Sequence, residues 1–119
     1  MINMFKSVYQ RVDAVADRVY DTIVPQKKTY PYAVITYPTV SENDESTRQE
    51  YILEIDIYDN LTDTTRLEEL VRDIDNALNR VVDSANFYKI YRMSPHLLRL
   101  ADEDEKLRRI QLRYMLHKF

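Results

Sequence analysis

The stretch TYPYAVITYPTVSENDESTRQEYILEIDIYDN, Thr29 to Asn60, decides the architecture. Its last part, EYILEIDIY, alternates strictly: Tyr51, Leu53, Ile55 and Ile57 point one way, Ile52, Glu54, Asp56 and Tyr58 the other. A period of two with one apolar side predicts a half-buried β-strand, its first set in the core and its second largely solvated. The first part, YPYAVITYP, is β-branched and aromatic and is bracketed by Pro31 and Pro38. It predicts a second strand, with prolines placed as they are at the ends of edge or semi-edge strands. Between the two lies TVSENDESTRQE, residues 39–50, polar and acidic. As a hairpin connection it is much longer than usual, and long connections of that kind tend to be functional or disordered.

On the N-terminal side, Phe5, Val8, Tyr9, Val12, Val15, Ala16, Val19, Tyr20 and Ile23 recur at spacings of three and four. This predicts an amphipathic helix over residues 2–23, with Gln10, Arg11, Asp13, Asp17, Arg18 and Asp21 on its polar side and Pro25 ending it. On the C-terminal side, residues 62–85 predict a second amphipathic helix that buries Leu67, Leu70, Val71, Ile74, Ala77, Leu78, Val81 and Val82. Thr65 with Glu68 forms a capping box at its start, with Thr62 or Asp63 as the alternative cap. NFYKIYRM (86–93) predicts a third strand, and SPHLLRLADEDE (94–105) a connection. KLRRIQLRYMLHKF (106–119) predicts a fourth strand, with Leu107 out of phase and Ile110, Leu112, Tyr114 and Leu116 facing in. The expected fold class is α+β in the order α-β-β-α-β-β: one domain over residues 1–119, with a mixed or antiparallel four-stranded sheet and both helices on one face.

Composition removes several classes of chemistry. Apolar residues at 45% and charged residues at 31% suit a folded globule. There is no cysteine, so disulfides, thiolate metal sites and thiol nucleophiles are excluded, which suits a reducing compartment. There is no glycine either. Phosphate-cradling loops, dinucleotide-binding turns and the nucleophile elbow all need one, so none exists here in its usual form. Positive-φ turns are expected to fall on Asn and Asp instead, as in YDNLTD (58–63) and DSAN (83–86). No apolar run reaches the length of a membrane span, and the N-terminal segment lacks the apolar core of a secretion signal. Synthesis in the cytoplasm, without export or membrane association, is the expectation.

Candidate chemical groups are few. Asp102, Glu103, Asp104 and Glu105 form an acidic run without the glycine and spaced glutamate of a calcium loop, and read as a solvated turn. His96 follows a proline in the 94–105 connection, and His117 lies on the outward phase of the last strand. Neither carries a neighbouring metal-ligand or triad partner, so no catalytic residue, metal or cofactor is expected. Of the ten tyrosines, Tyr9, Tyr20, Tyr51 and Tyr114 fall in phase with apolar neighbours and read as core. Tyr30, Tyr32, Tyr37, Tyr58, Tyr88 and Tyr91 are open to either core or interface.

Charge is unevenly distributed. Residues 1–85 hold nine Lys/Arg and sixteen Asp/Glu, a balance of −7, whereas residues 86–119 hold eight and four, a balance of +4. Two readings follow. Outward Glu54 and Asp56 can pair across strands with Arg109 and Arg113 of the same chain. Alternatively, the acidic surface of one subunit meets the basic surface of the next, a head-to-tail contact that closes into a ring. Glu42, Asp44, Glu45 and Arg48 of the 39–50 arm join these four as candidate interface residues. With a net charge of −3 and basic residues that alternate with core residues, nucleic-acid binding is weakly supported.

From Val8 to the C-terminus the chain resembles the small tail-completion or tail-terminator (tail-to-head joining) proteins of long-tailed bacteriophages. The matching pieces, in order, are the N-terminal helix, YPYAVI (30–35), the polar arm leading into YILEIDIYDN (51–60), RLEELVRDIDNALN (66–79) and LADEDEKLRRIQLRYML (100–116). One departure is Tyr58, where relatives often carry tryptophan. The resemblance implies a distorted ferredoxin-like fold and a non-enzymatic virion protein that assembles as a homo-oligomeric, hexameric ring. Such a ring caps the tail tube, ends its polymerisation and contacts the tail-tube and neck proteins, while genomic DNA passes its lumen without specific binding. A head-completion or neck-adaptor subunit of the connector is the alternative, and a small ferredoxin-like ligand-binding domain or enzyme a third. In the ring, Glu42, Asp44 and Glu45 would project toward the lumen or a neighbour.

Overall fold

The structure is a computed structural model that describes residues 3–21, 23–26, 28–38, 40–42, 49–100 and 107–119, with the side chains of residues 40–42 and 49 not described. Helix α1 spans Asn3–Asp13 and buries Met4, Val8 and Val12. It is half the expected length. Beyond Asp13 the last turn tightens, with Val15 N–H donating to the Val12 carbonyl at 3.1 Å, and the chain turns into strand β1, Val19–Asp21. The apolar periodicity continues into Ala16 and Val19, which are buried, but Ile23 is 81% exposed. The helix gives way where a sheet partner is available: β-branched Val19 and aromatic Tyr20 gain a ladder with the next strand, as in the Ala33 N–H to Arg18 carbonyl bond of 3.0 Å.

Strand β2, Tyr32–Thr36, runs parallel to β1 and antiparallel to β4, Gln49–Asp59. Part of the expected loop is itself a strand: β3, Val40–Glu42, pairs antiparallel with Gln49–Tyr51. It continues along the β2 side of β4 after the break at Pro38. Helix α2, Thr65–Leu78, buries Leu67, Val71, Ile74 and Leu78. Its start is closed by Asp63, whose Oδ1 accepts from the Thr65 N–H at 2.9 Å and hydroxyl at 2.7 Å, rather than by a Thr65–Glu68 box. The helix stops seven residues before Ala85. Arg80 takes a positive φ of 63°, and Val82–Asp83 form a short strand, β5, against β6.

Strand β6 runs from Tyr88 to Leu100, through the segment expected to be a connection, with a register shift between Arg92 and Leu97 that absorbs Pro95. Strand β7, Arg108–Lys118, pairs with β4 over eleven residues, from Asp59↔Arg108 to Gln49↔Lys118.

The expected four-stranded, ferredoxin-like sheet is therefore incorrect, although the class is α+β. Among the described residues the sheet has seven strands. Six follow the order β1-β2-β4-β7-β6-β5 in a mixed, curled, half-barrel arrangement, and β3 pairs with β4 beside that path. The four anticipated strands are present as β2, β4, β6 and β7; the three short ones come from segments that read as helix ends or loop. Both helices contribute to one core, with Tyr51, Leu53, Ile55 and Ile57 of β4 and Ile110, Leu112, Tyr114 and Leu116 of β7 on the face beneath them. Positive φ falls on Arg80 and on Phe87 (59°), not on the Asn and Asp residues expected to carry it, although Asp83 does stabilise the 83–86 turn by accepting from the Asn86 N–H at 3.0 Å.

Candidate interaction surfaces

The face of β4 and β7 opposite the helices carries four of the eight candidate residues. Register places Glu54 across from Arg113, Asp56 across from Gln111 and Tyr58 across from Arg109. Asp56 Oδ1 lies 2.8 Å from Arg109 Nη2 and accepts from Arg109 Nε at 3.0 Å and Gln111 Nε2 at 3.1 Å. Arg113 Nε is 3.5 Å from Glu54 Oε2; it is buried and makes no hydrogen bond, so this contact is an ion pair only. Glu50 and His117 extend the row at 3.4 Å. Cross-strand pairing within one chain is thus what the structure shows for Glu54, Asp56, Arg109 and Arg113. The face is also less solvated than alternation suggests, since Asp56 is only 8% exposed.

Its upper part is aromatic. Tyr32 stacks on Tyr58 with centroids 4.9 Å apart, Tyr20 and Tyr30 approach Tyr32 at 5.8 and 5.3 Å, and the Arg109 guanidinium lies 5.7 Å from the Tyr58 ring. Tyr20 therefore belongs to this face and not to the core. Tyr51, Tyr88 and Tyr114 are core, with Tyr9 packed at its edge.

Of the remaining candidates, Glu42 lies in β3, its side chain undescribed, and Asp44, Glu45 and Arg48 lie outside the described residues, as does the acidic run 102–105.

Three polar hubs were not legible in the sequence. Asp75 of α2 accepts from Tyr114 Oη at 2.7 Å, contacts His96 Nε2 at 3.2 Å and pairs with Arg92. Burial raises the Asp75 carboxyl, but the Arg92 and Tyr114 hydrogen bonds outweigh it and hold the group below its ordinary range. Burial likewise pushes the Tyr114 hydroxyl up, helped by its bond to Asp75. His96 is therefore no loop residue: it stands at the β6 irregularity, clamped between Asp75 and the Arg113 carbonyl, 3.3 Å from Nδ1. Asp83 accepts from Asn86 Nδ2 at 3.1 Å, Ser7 Oγ at 3.0 Å and Arg11 Nη2 at 3.1 Å, and these bonds, led by Asn86, depress its carboxyl strongly. Asp59, nearly fully buried, accepts from Arg66 Nε at 3.0 Å. The Asp75 and Asp83 hubs join residues distant in sequence, and the Asp59–Arg66 pair closes the turn between β4 and α2, so periodicity carries no trace of them.

An open groove of about 380 Å³ lies between the α1–β1 turn and α2, lined among others by Asp17, Arg18, Arg66, Glu69, Leu70 and Asp73. It mixes both charges and does not include His96, unlike the apolar cavity with convergent polar groups of a ligand site. Among the described residues, no group of three or more His, Cys, Asp or Glu is placed to hold a metal ion, and no helix is long and apolar enough to cross a membrane.

The whole architecture has a counterpart. The fold matches a chain of a solved structure described as the virion of native gene transfer agent (GTA) particle, with a TM-score of 0.71 over 93% of this chain and 90% of that one. The two chains share a fold. At 16% identity the likeness is one of fold alone. No protein-family model matches the chain, and no curated protein matches it in sequence.

Proposed function

We propose that this chain is a structural protein of a phage-like virion that assembles as a homo-oligomeric ring on the end of the tail tube, ends tube polymerisation and joins tail to head. The observation that carries this reading is the near full-length fold likeness to a chain of a GTA virion, two-sided in coverage and therefore not a shared fragment. The ordered resemblance to tail-terminator proteins supports it, and the polar clusters described above support a structural role, since each is bound up in cross-strand or helix–sheet pairing. In this reading residues 1–119 act as one domain, a hexameric ring in the tail–neck region of the particle. The tail-tube protein lies on one side and a neck protein on the other, with DNA passing through the lumen and Glu42, Asp44 and Glu45 serving as contacts to the lumen or a neighbour.

The experiment is deletion of the gene in a producing strain, followed by electron microscopy of the particles. Overlong, headless tails are expected. Normal tails beside heads that leak DNA would instead assign the chain to head completion, and unaltered particles would refute a virion role.

A further inference from the structure

We infer that neighbouring copies in the ring meet edge to edge, the β6 edge of one copy against the β1 edge of the next. This rests on the ring reading above and names the surface that closes it.

The β4–β7 face is a poor candidate for the subunit contact, because Glu54, Asp56, Arg109 and Arg113 pair with one another across the strands and are largely buried within the chain. The edges are different. The strand path begins at β1 and ends at β6 and β5, and a contact between two unlike edges is heterologous, the kind that repeats head to tail and closes into a ring. The two edges also stand at the same height in the sheet. Register runs unbroken from Val19 through Ala33, Ile57 and Ile110 to Arg99, and from Asp21 through Ile35, Ile55 and Leu112 to Leu97. Strand directions along that path make β6 antiparallel to β1, so side-by-side copies bring Leu97–Arg99 against Val19–Asp21 without a vertical shift.

Among the described residues only Val82–Asp83 pair on the outer side of β6, at Lys89 and Tyr88, which leaves Tyr91–Leu100 with no strand beyond it. Tyr91 and Leu97 on that edge are 39% and 37% exposed, and Ile23, two residues past β1, is an exposed apolar residue on the other. Charge complements the apolar contact: exposed Asp13 and Asp17 lead into β1, while β6 carries exposed Arg92 and Arg99. The two arginines already pair with Asp75 and Glu68, but a guanidinium has five N–H donors and retains capacity for a second carboxylate. Side chains carry the contact rather than a continued backbone ladder. The outward Val19 carbonyl accepts from Tyr9 Oη at 3.1 Å, and the Asp21 carbonyl from the Ile23 N–H at 2.7 Å.

The chain has no cysteine, so an Ile23→Cys/Leu97→Cys variant carries only the pair under test. Within one copy the two positions lie on opposite edges, four strand spacings or roughly 19 Å apart along the sheet. That is well beyond the about 7 Å between Cα atoms that a disulfide spans. Oxidation of assembled protein is expected to yield a covalent ladder ending at the ring, with no cross-link from either single variant. Ile23→Arg is expected to abolish the ring in native mass spectrometry while leaving the melting temperature of the monomer unchanged.

Rings that form normally but give no ladder, or that survive Ile23→Arg, would overturn the edge contact and leave the ring reading standing. Covalent dimers from a single-cysteine variant would replace it with a twofold contact. A wild-type chain that forms no ring, alone or on purified tail tubes, overturns both.

Discussion

Asp56 tests whether the β4–β7 charges act within the chain. Its Oδ1 accepts from Arg109 Nε and Gln111 Nε2 and lies 2.8 Å from Arg109 Nη2, and its own side chain is mostly buried while that of Arg109 is less so. Truncation to alanine strands the guanidinium and the Gln111 amide on a half-buried face. Breaking a fully buried ion pair costs about 3–5 kcal/mol. An exposed pair is worth about 0–1 kcal/mol. The partial burial here places Asp56→Ala at about 2 kcal/mol between those limits. For a chain of this length that corresponds to a loss of roughly 8 °C in melting temperature.

A double-mutant cycle with Arg109→Ala, followed by urea denaturation of monomeric protein, is expected to give a coupling energy of about 1 kcal/mol or more. Arg109 also lies over Tyr58, so Arg109→Ala alone should cost more than charge pairing accounts for. Additivity within about 0.5 kcal/mol would show that the two residues do not act together in the monomer, and would refute the intramolecular account of the charge asymmetry.

Three further outcomes are expected. The folded-state Asp75 carboxyl is depressed below its unfolded value, so its contribution is present at neutral pH and is lost as pH falls through about 4 and below. Asp75→Asn should therefore lower the melting temperature at pH 7 and flatten its decline between about pH 5 and pH 2; a decline parallel to wild type refutes this. Arg80 is exposed and left-handed, a conformation that costs a β-carbon residue about 1–2 kcal/mol, so Arg80→Gly should stabilise by about 0.5 kcal/mol net of glycine's chain entropy, measured by thermal melts, and a destabilised variant counts against it. Reversing Glu42, Asp44 and Glu45 to lysine should leave the melting of the monomer unchanged and impair head–tail joining in a complementation assay, with unchanged infectivity the contrary result.

The long elements were legible because their patterns are long. The eight alternating residues Tyr51–Tyr58 in β4, and Ile110, Leu112, Tyr114 and Leu116 in β7, leave a single solution for which side is buried. The short strands were not, for reasons visible at particular residues. Val19 fits both a helical stripe from Val8 and Val12 and an edge strand, and only the presence of β2 beside it decides. Val82 extends the stripe of α2 in register, yet it is exposed in β5, because the chain turns at Arg80 and exchanges one more helical turn for pairing with Lys89. Val40–Glu42 holds too few residues for alternation to be recognised, and its strand character comes from Gln49–Tyr51 across the hairpin. Ser94–Pro95–His96 read as a loop because proline breaks a ladder; the sheet accommodates it as an irregularity on the outer strand, where the lost N–H bond faces no further neighbour among the described residues.

Resolved residue by residue, the charge asymmetry between the two parts of the sequence mostly closes within the molecule. Of the basic residues after position 85, Arg92 pairs with Asp75, Arg99 with Glu68, Arg109 with Asp56 and Arg113 with Glu54, and every one of those acids lies before position 85. The imbalance is what a sheet needs when its last two long strands dock against an acidic helix and an acidic-faced strand folded earlier along the chain. It is therefore not in itself a signal of a partner. Any electrostatic attraction between copies has to arise at the margins, from Asp13 and Asp17 beside β1 and from the outer side of β6, where the arginines are tethered but still solvent-exposed. A contact of that kind is screened by salt over about 8 Å at physiological ionic strength. Ring formation should then weaken with salt, while folding, which relies on the half-buried Asp56 and nearly buried Asp59 pairs, changes much less. Parallel salt titrations of assembly and of melting temperature separate the two, and equal sensitivity would place the same charges in both roles.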